Sequence, residues 1–501
     1  MSLARCVMVQ GTASGVGKSV IATALCRVLA DEGFRVAPFK GQNMSLNAAV
    51  TPDGREIGRA QAAQADAARV PARVEMNPVL LKPEGDARSQ VVVLGRAMGT
   101  RGAREFWLDR AALWPTVRAS LRTLRSEYDV VVIEGAGSPA EMNLRRGDLA
   151  NMRVAAAAQA AVLLVGDIER GGIFAQLLGT LALLPATDRR RIRGLLVNKF
   201  RGDPALFADG VRYLRRAARL PVLGVLPHDR RLDVPEEDSL ALDGQDGSAA
   251  GMLDIAVIRY PHISNFDDFA PLAQAGARVR YVQDAAALGV PDLVVLPGSK
   301  TTISDLEWLR ESGVGSRLRA LADAGVPILG ICGGFQMLGT SLRDRNGIEG
   351  PARTVRGLGL LAVSTMFRAA KQTVLVRGRL ANGGTLIPAP DLELHGYELH
   401  TGDSRADGAA PFATLIRPNG RRVRDGAVSA DGRVIGTYLH GLFENELLRE
   451  TLLATLARRR GIAAPAGTMA ADRYAHLAAW FRAAIDVPGL LTTIGLEPPR
   501  A

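Results

Sequence analysis

Two short stretches of this sequence have residue types and spacing that could carry bond-making chemistry. The first, GTASGVGKS at residues 11–19, follows the apolar run CVMVQG and leads into a stretch of helical character. Glycines in such a strand-to-helix turn let successive backbone N–H groups face a phosphate, and the helix N-terminus adds its positive end. Lys18 is then placed to reach the β- and γ-phosphates of a nucleotide, and Ser19 to ligate Mg2+. Counting back from Lys18, Thr12 stands where the usual loop has its first glycine, and Gly11 lies one residue earlier. The loop is a variant form in which Thr12, Gly15, Val16, Gly17, Lys18 and Ser19 are the expected phosphate contacts. Glu134 closes the run DVVVIE, and an acid at the carboxyl end of a buried strand suits a direct or indirect Mg2+ ligand. Asp167 ends the run AVLLVGD in the same way, and Asn198 ends GLLVN, where its amide could meet a base edge or serve a turn.

The second stretch, PILGICGGFQMLG, runs a strand straight into Cys332, follows it with two glycines and continues as a helix former. This is the pattern of a nucleophile elbow with a thiol in place of a hydroxyl. The helix N-terminus favours the thiolate. A thiol nucleophile needs a base, and among six histidines His440, in GTYLHGLFEN, sits at a strand end before a glycine. Glu444 is the nearby candidate to orient it, and the turn PGSK (297–300) could offer a backbone N–H to an oxyanion. Cys6 and Cys26 read as packing residues, and with three cysteines no disulfide framework or Cys-x-x-Cys zinc site is expected.

These residues must be held by regular elements. Apolar runs at 6–11, 130–137, 161–167, 194–200 and 221–227 alternate with helical stretches, which predicts a parallel sheet covered on both faces. The segment 236–252, EEDSLALDGQDGSAAGM, is polar and glycine-containing and reads as a linker. Runs at 253–261, 277–282, 291–300 and 327–334 begin a second alternating region, and residues 444–484 read as helices. The expectation is α/β with two doubly wound domains: a nucleotide-binding half at 1–235, then 253–501 with a helical tail.

At 501 residues, with 47% hydrophobic and 23% charged, the chain is long enough for two to four cores and too apolar to be mainly disordered. The longest nearly uncharged apolar run, 154–166, is too short to span a bilayer, and the first apolar strand leaves no room for a presequence. A reducing, cytoplasmic setting is expected. The net charge of +11 comes from 62 basic and 51 acidic residues, and only six of the basic residues are lysines. The arginines are spread along the chain and aromatics are 5%, so a polyanionic small molecule fits better than nucleic acid.

On longer strings the chain resembles a known family. GICGGFQMLG with YLHG is similar to triad-type (class I) glutamine amidotransferases, and the variant loop with VVIEGAGS to dethiobiotin synthetase-like ligases. The two in this order, with PFKGQNMSLN (38–47), MNPVLLKP (76–83), GDIERGGIFA (166–175) and HGYELHTG (395–402), resemble the cobyric acid synthase family. The resemblance implies ATP- and glutamine-dependent amidation of four peripheral carboxylates (b, d, e and g) of adenosylcobyrinic acid a,c-diamide, with Mg2+ and no prosthetic group. It implies Cys332 as nucleophile, His440 as base, and Lys40, Gln42 and Asn43 near the phosphates or the corrinoid. Where the triad-type family has a glutamate two residues after the histidine, this chain has Leu442. The rival readings are cobyrinic acid a,c-diamide synthase, a P-loop switch or partitioning ATPase, and an inactive glutaminase-like scaffold.

Overall fold

The computed structural model describes residues 3–85, 87–229, 231–232, 234–235, 252–465 and 472–497. The linker expected at 236–252 lies outside the described residues except for Met252. Among the described residues no helix is long and apolar enough to cross a membrane.

The five apolar runs of the first half are joined by Val36–Phe39, which the sequence reading does not single out, in one six-stranded, all-parallel sheet in the order Val222–Pro227, Ile192–Phe200, Ala161–Asp167, Arg5–Gly11, Val130–Glu134, Val36–Phe39. Side chains alternate across a strand, so Cys6 and Met8 enter one core and Val7 and Val9 the other. Helix Lys18–Asp31 covers one face through Ile21, Leu25 and Leu29, and helices Trp114–Glu127 and Ile173–Leu183 cover the other through Leu121, Leu124 and Leu177. The strand order places the carboxyl ends of Arg5–Gly11 and Val130–Glu134 side by side. The phosphate-type loop and Glu134 therefore start as neighbours.

The carboxyl-terminal helices depart from the expected boundary. Ala475–Ala484 and Val487–Ile494 were assigned with the second half. They pack instead against the first sheet, where Leu477, Trp480, Phe481, Leu490 and Leu491 join the core of Ile21 and Leu25. Trp480 Nε1 donates to Pro227 O at 2.9 Å, and Arg27 forms an ion pair with Asp472. An amphipathic pattern shows that a helix has an apolar face, but not which sheet that face covers.

The second half carries its own sheet, in the order Arg278–Val282, Asp254–Ile258, Leu293–Leu296, Ile328–Ile331, Val434–Thr437, Ala427–Val428, parallel except for the last pair. A separate, mostly antiparallel sheet is built around the long hairpin Val363–Leu380 and Glu393–Ala406.

The halves meet along a seam made by an excursion of the first half. Between its second strand and residue 103 the chain forms the hairpin Ala48–Val50 with Glu56–Gly58. It also forms a small sheet of Gln42–Met44, Val79–Pro83, Arg88–Val93 and Arg96–Gly102. Ala48, Val50, Leu80 and Val92 share a cluster with Tyr397 and Leu399 of the second half. The Ala48 carbonyl accepts from Asn265 Nδ2 at 2.8 Å and from Tyr397 OH at 3.1 Å. Buried Glu56 lies 2.7 Å from Lys82 Nζ and 2.6 Å from Lys371 Nζ, the second of these across the seam. Glu84 and Lys300 form a further cross-seam ion pair.

Truncating a buried phenylalanine costs about 3–5 kcal/mol. Phe481→Ala should therefore lower the denaturant midpoint of the transition that unfolds the first half. A midpoint equal to wild type would show that the tail is not part of that core.

Candidate functional site

The phosphate-type loop is pre-shaped by its neighbours. Gly15 and Gly17 have φ of 70° and 94°, where a side chain is strained. A Cβ on Gly17 would lie 2.2 Å from Asn198 Nδ2. That same nitrogen donates to Val16 O at 2.9 Å, so Asn198 braces the back of the loop with its amide nitrogen. Lys199 Nζ adds a bond to Gly15 O at 2.7 Å and is held by Asp167 at 3.0 Å. Thr12 Oγ1 donates to Gln176 Oε1 at 3.2 Å.

Lys18 Nζ bridges the loop and the turn after Glu134, donating to Ala13 O at 2.9 Å and Gly137 O at 3.0 Å. Ser19 Oγ donates to Glu134 Oε1 at 2.9 Å. Glu134 is wholly buried and also receives Lys40 Nζ at 2.8 Å and Gln64 Nε2 at 2.6 Å. Burial alone would raise its pKa, but the Lys40 ammonium and these hydrogen bonds hold it below the usual carboxylate range. Ser19, Glu134 and Lys40, singled out separately in the sequence, are thus one cluster. Gln64 was missed. Its Oε1 is buried without a hydrogen-bond partner beside this cluster, an acceptor suited to a hydrated cation. The donor set of hydroxyl, carboxylate and amide oxygens suits a hard cation such as Mg2+.

The thiol site is built on strain. Cys332 sits between strand Ile328–Ile331 and helix Gly333–Leu338 with φ 53° and ψ −108°, a conformation rare for a residue with a side chain. The turn is packed so closely that a Cβ on Gly334 would lie 1.9 Å from Leu296 O. A Cβ on Gly333 would lie 2.8 Å from Ser299 N, so the expected PGSK turn does line the elbow. Cys332 and His440 share one pocket, also lined by Ser299, Lys300 and Gln336.

His440 is oriented by a residue that sequence reading did not single out. Its Nδ1 is 2.7 Å from Asp268 Oδ2, and Asp268 Oδ1 accepts from Gly441 N at 3.1 Å. Glu444, expected in this role, lies 3.7 Å from both the Arg59 and the Arg473 guanidinium groups. The chain turns through Gly441 (φ 73°) after His440, which carries Glu444 away from the ring edge that Asp268 occupies. Asp268 follows the short strand Ile263–Ser264, which pairs with Gly298–Ser299, and is 172 residues from His440, so only the pair of acids in NFDDF hints at it. Tyr397 stacks on the imidazole with ring centroids 5.2 Å apart. Burial opposes the imidazolium, yet Asp268 and the adjacent Cys332 outweigh it and raise the His440 pKa to about 10. The raised His440 pKa favours the imidazolium, set next to the cysteine as in a cysteine–histidine nucleophile pair.

Asp268→Asn removes the charge that offsets burial. His440 then loses its proton at a lower pH, and alkylation of Cys332 by iodoacetamide at pH 7 should slow by an order of magnitude or more. Glu444→Gln should alkylate at the wild-type rate. Equal slowing in both variants would contradict the assignment of Asp268.

Comparison with known proteins assigns the two halves to two domain families. The family profile described as the CobQ/CobB/MinD/ParA nucleotide binding domain matches residues 7–241. The profile of the CobB/CobQ-like glutamine amidotransferase domain matches residues 254–447. The cobyric acid synthase of Sorangium cellulosum is 49% identical over 513 residues, spanning 98% of this chain and 99% of that protein. That of Moorella thermoacetica is 46% identical, spanning 99% and 98%. That of Chloroflexus aggregans is 51% identical, spanning 90% and 91%.

Proposed function

The chain belongs to the cobyric acid synthase family, and we propose from that premise how its two sites divide the work. The activity is a glutamine-dependent amidation in cobalamin biosynthesis. The observation that carries the division of labour is the coexistence of the Ser19–Glu134–Lys40 cluster behind a phosphate-type loop with the Cys332–His440–Asp268 set across the seam.

The corrinoid substrate is adenosylcobyrinic acid a,c-diamide, and the groups amidated are its b, d, e and g carboxylates. A carboxylate is a poor electrophile toward ammonia. Transfer of the γ-phosphoryl group of ATP to a carboxylate oxygen makes an acyl phosphate with a good leaving group. Thr12, Gly15, Val16, Gly17 and Lys18 cradle the triphosphate, with Asn198 and Lys199 fixing the loop from behind. Ser19 and Glu134 would hold Mg2+, which offsets charge on the transferring phosphoryl group. Residues 1–235 carry this half-reaction, with the carboxyl-terminal helices as part of their core, and the chain from residue 253 to about 465 carries ammonia release.

Ammonium at neutral pH is not a nucleophile, so the nitrogen is released at a dedicated site. The Cys332 thiolate attacks the glutamine γ-amide carbon, forming a C–S bond. His440 gives its proton to the departing nitrogen, and ammonia leaves. Water, deprotonated by His440, then cleaves the thioester to glutamate and restores the thiol. Asp268 holds the imidazole tautomer and balances its charge throughout. A nucleotide switch would have no use for this set.

Cys332→Ala should abolish glutamine-supported amidation and retain ammonia-supported amidation, followed by mass spectrometry of the corrinoid. Lys18→Ala should abolish both. Loss of both activities in a folded Cys332→Ala protein, or normal turnover in Lys18→Ala, would contradict this division.

A further inference from the structure

The pocket around Cys332 is not built by the second half alone. Lys82 and Gln90 face each other directly across the antiparallel strands Val79–Pro83 and Arg88–Val93, so their side chains leave the same face of the small sheet. Both line the pocket that holds Cys332 and His440. The Lys82 ammonium is engaged by Glu56 at 2.7 Å. Gln90 is different: its Oε1 is shielded from solvent and accepts no hydrogen bond. A buried acceptor of this kind is tolerated where a ligand supplies the donor.

Glutamine offers such a donor at a suitable position. Its γ-amide carbon has to lie against Cys332, within reach of His440. The α-carbon is three carbon–carbon bonds further along, which carries the α-ammonium and α-carboxylate away from the elbow. The α-carboxylate has no proton to give, whereas the α-ammonium has three. The part of the pocket that the first half walls off includes Gln90, whose buried amide oxygen has no hydrogen-bond partner. Resting on the glutaminase reading above, we infer that Gln90 Oε1 accepts a hydrogen bond from the α-ammonium of bound glutamine. The half that carries the nucleotide site thereby completes the glutamine site. Glutamine is read by both halves at once, and its nitrogen is released only where the small sheet is docked to receive it.

The test compares wild type with Gln90→Leu, which keeps much of the bulk and loses the acceptor, and with Gln90→Glu, which keeps an acceptor. A hydrogen bond to a charged group corresponds to roughly 10- to 100-fold in binding. The KM for glutamine should rise by that factor in Gln90→Leu, with kcat at saturation and ammonia-supported amidation near wild type. Gln90→Glu should recover most of the loss. Glutaramate, which is glutamine without its α-amino group, provides a readout that a merely structural role would not move. The preference for glutamine over glutaramate should shrink in Gln90→Leu by the same factor as the KM rises. Should Gln90→Leu not fold, Gln90→Met makes the same comparison. An unchanged KM with an unchanged preference overturns the assignment. So does an unchanged KM with glutamate release outrunning amide formation, which would place Gln90 on the path of the nitrogen instead. A wild-type protein that releases no glutamate overturns the glutaminase reading, and this assignment with it.

Discussion

The carboxylate of Glu56 is buried between Lys82 of its own half and Lys371 of the other, and the rest of the molecule is arranged around that pairing. Burial alone would neutralise the acid, but the two ammonium groups hold it ionised. The same burial pulls the Lys82 pKa down to about 8. Removing one partner of a buried ion pair costs about 3–5 kcal/mol, because the remaining charge is left without compensation. The halves therefore cannot separate at this point without exposing or stranding charge. Around it, the Ala48 carbonyl, the Tyr397 hydroxyl and the apolar cluster of Val50, Leu80, Val92 and Leu399 pack the two halves together.

The seam also brings the two chemical centres onto one short helix. Arg59–Ala67 starts at the second half, where Arg59 pairs with Asp267 at 2.5 Å, next in sequence to the Asp268 that orients His440. Five residues later, about 7.5 Å along the axis, Gln64 donates to Glu134 beside the phosphate-type loop. A single rigid element of nine residues touches the carboxylate partner of one site and the neighbour of the carboxylate partner of the other. The helix thus lies against both sites, touching Glu134 at one end and the neighbour of Asp268 at the other.

Legibility in the sequence followed the range of the interactions. The loop at 11–19 and the elbow at Cys332 are local: strand, turn and helix are consecutive, and glycine is required where φ is positive, as at Gly17, or where backbones touch, as at Gly334. Most parallel strands of both halves are legible as apolar runs, whereas the edge strand Val36–Phe39 is not. Asp268 was not, because it meets His440 through sheet topology across 172 residues. Glu444 was favoured by proximity in sequence, which says nothing about which edge of a ring a side chain faces. The small sheet of residues 42–102 has strands too short and mixed to announce themselves. Lys82 and Gln90, on the face that Leu80 and Val92 also share, acquire meaning only against the other half. Ala475–Ala484 falls in the stretch legible as helical while Val487–Ile494 lies beyond it, and the partner of both is decided by apolar surface left open on the first sheet.

We propose that nitrogen released at Cys332 reaches the nucleotide-dependent half without mixing with ammonium in bulk solvent. The most direct measurement supplies glutamine labelled with 15N at the amide, together with ATP, the corrinoid diamide and an unlabelled ammonium pool larger than the glutamine. The product is then weighed by mass spectrometry. The account predicts new amides that carry 15N in large excess over the pool ratio. Amides whose label matches the mixed pool would mean that the nitrogen passes through bulk solvent, and the account would be wrong.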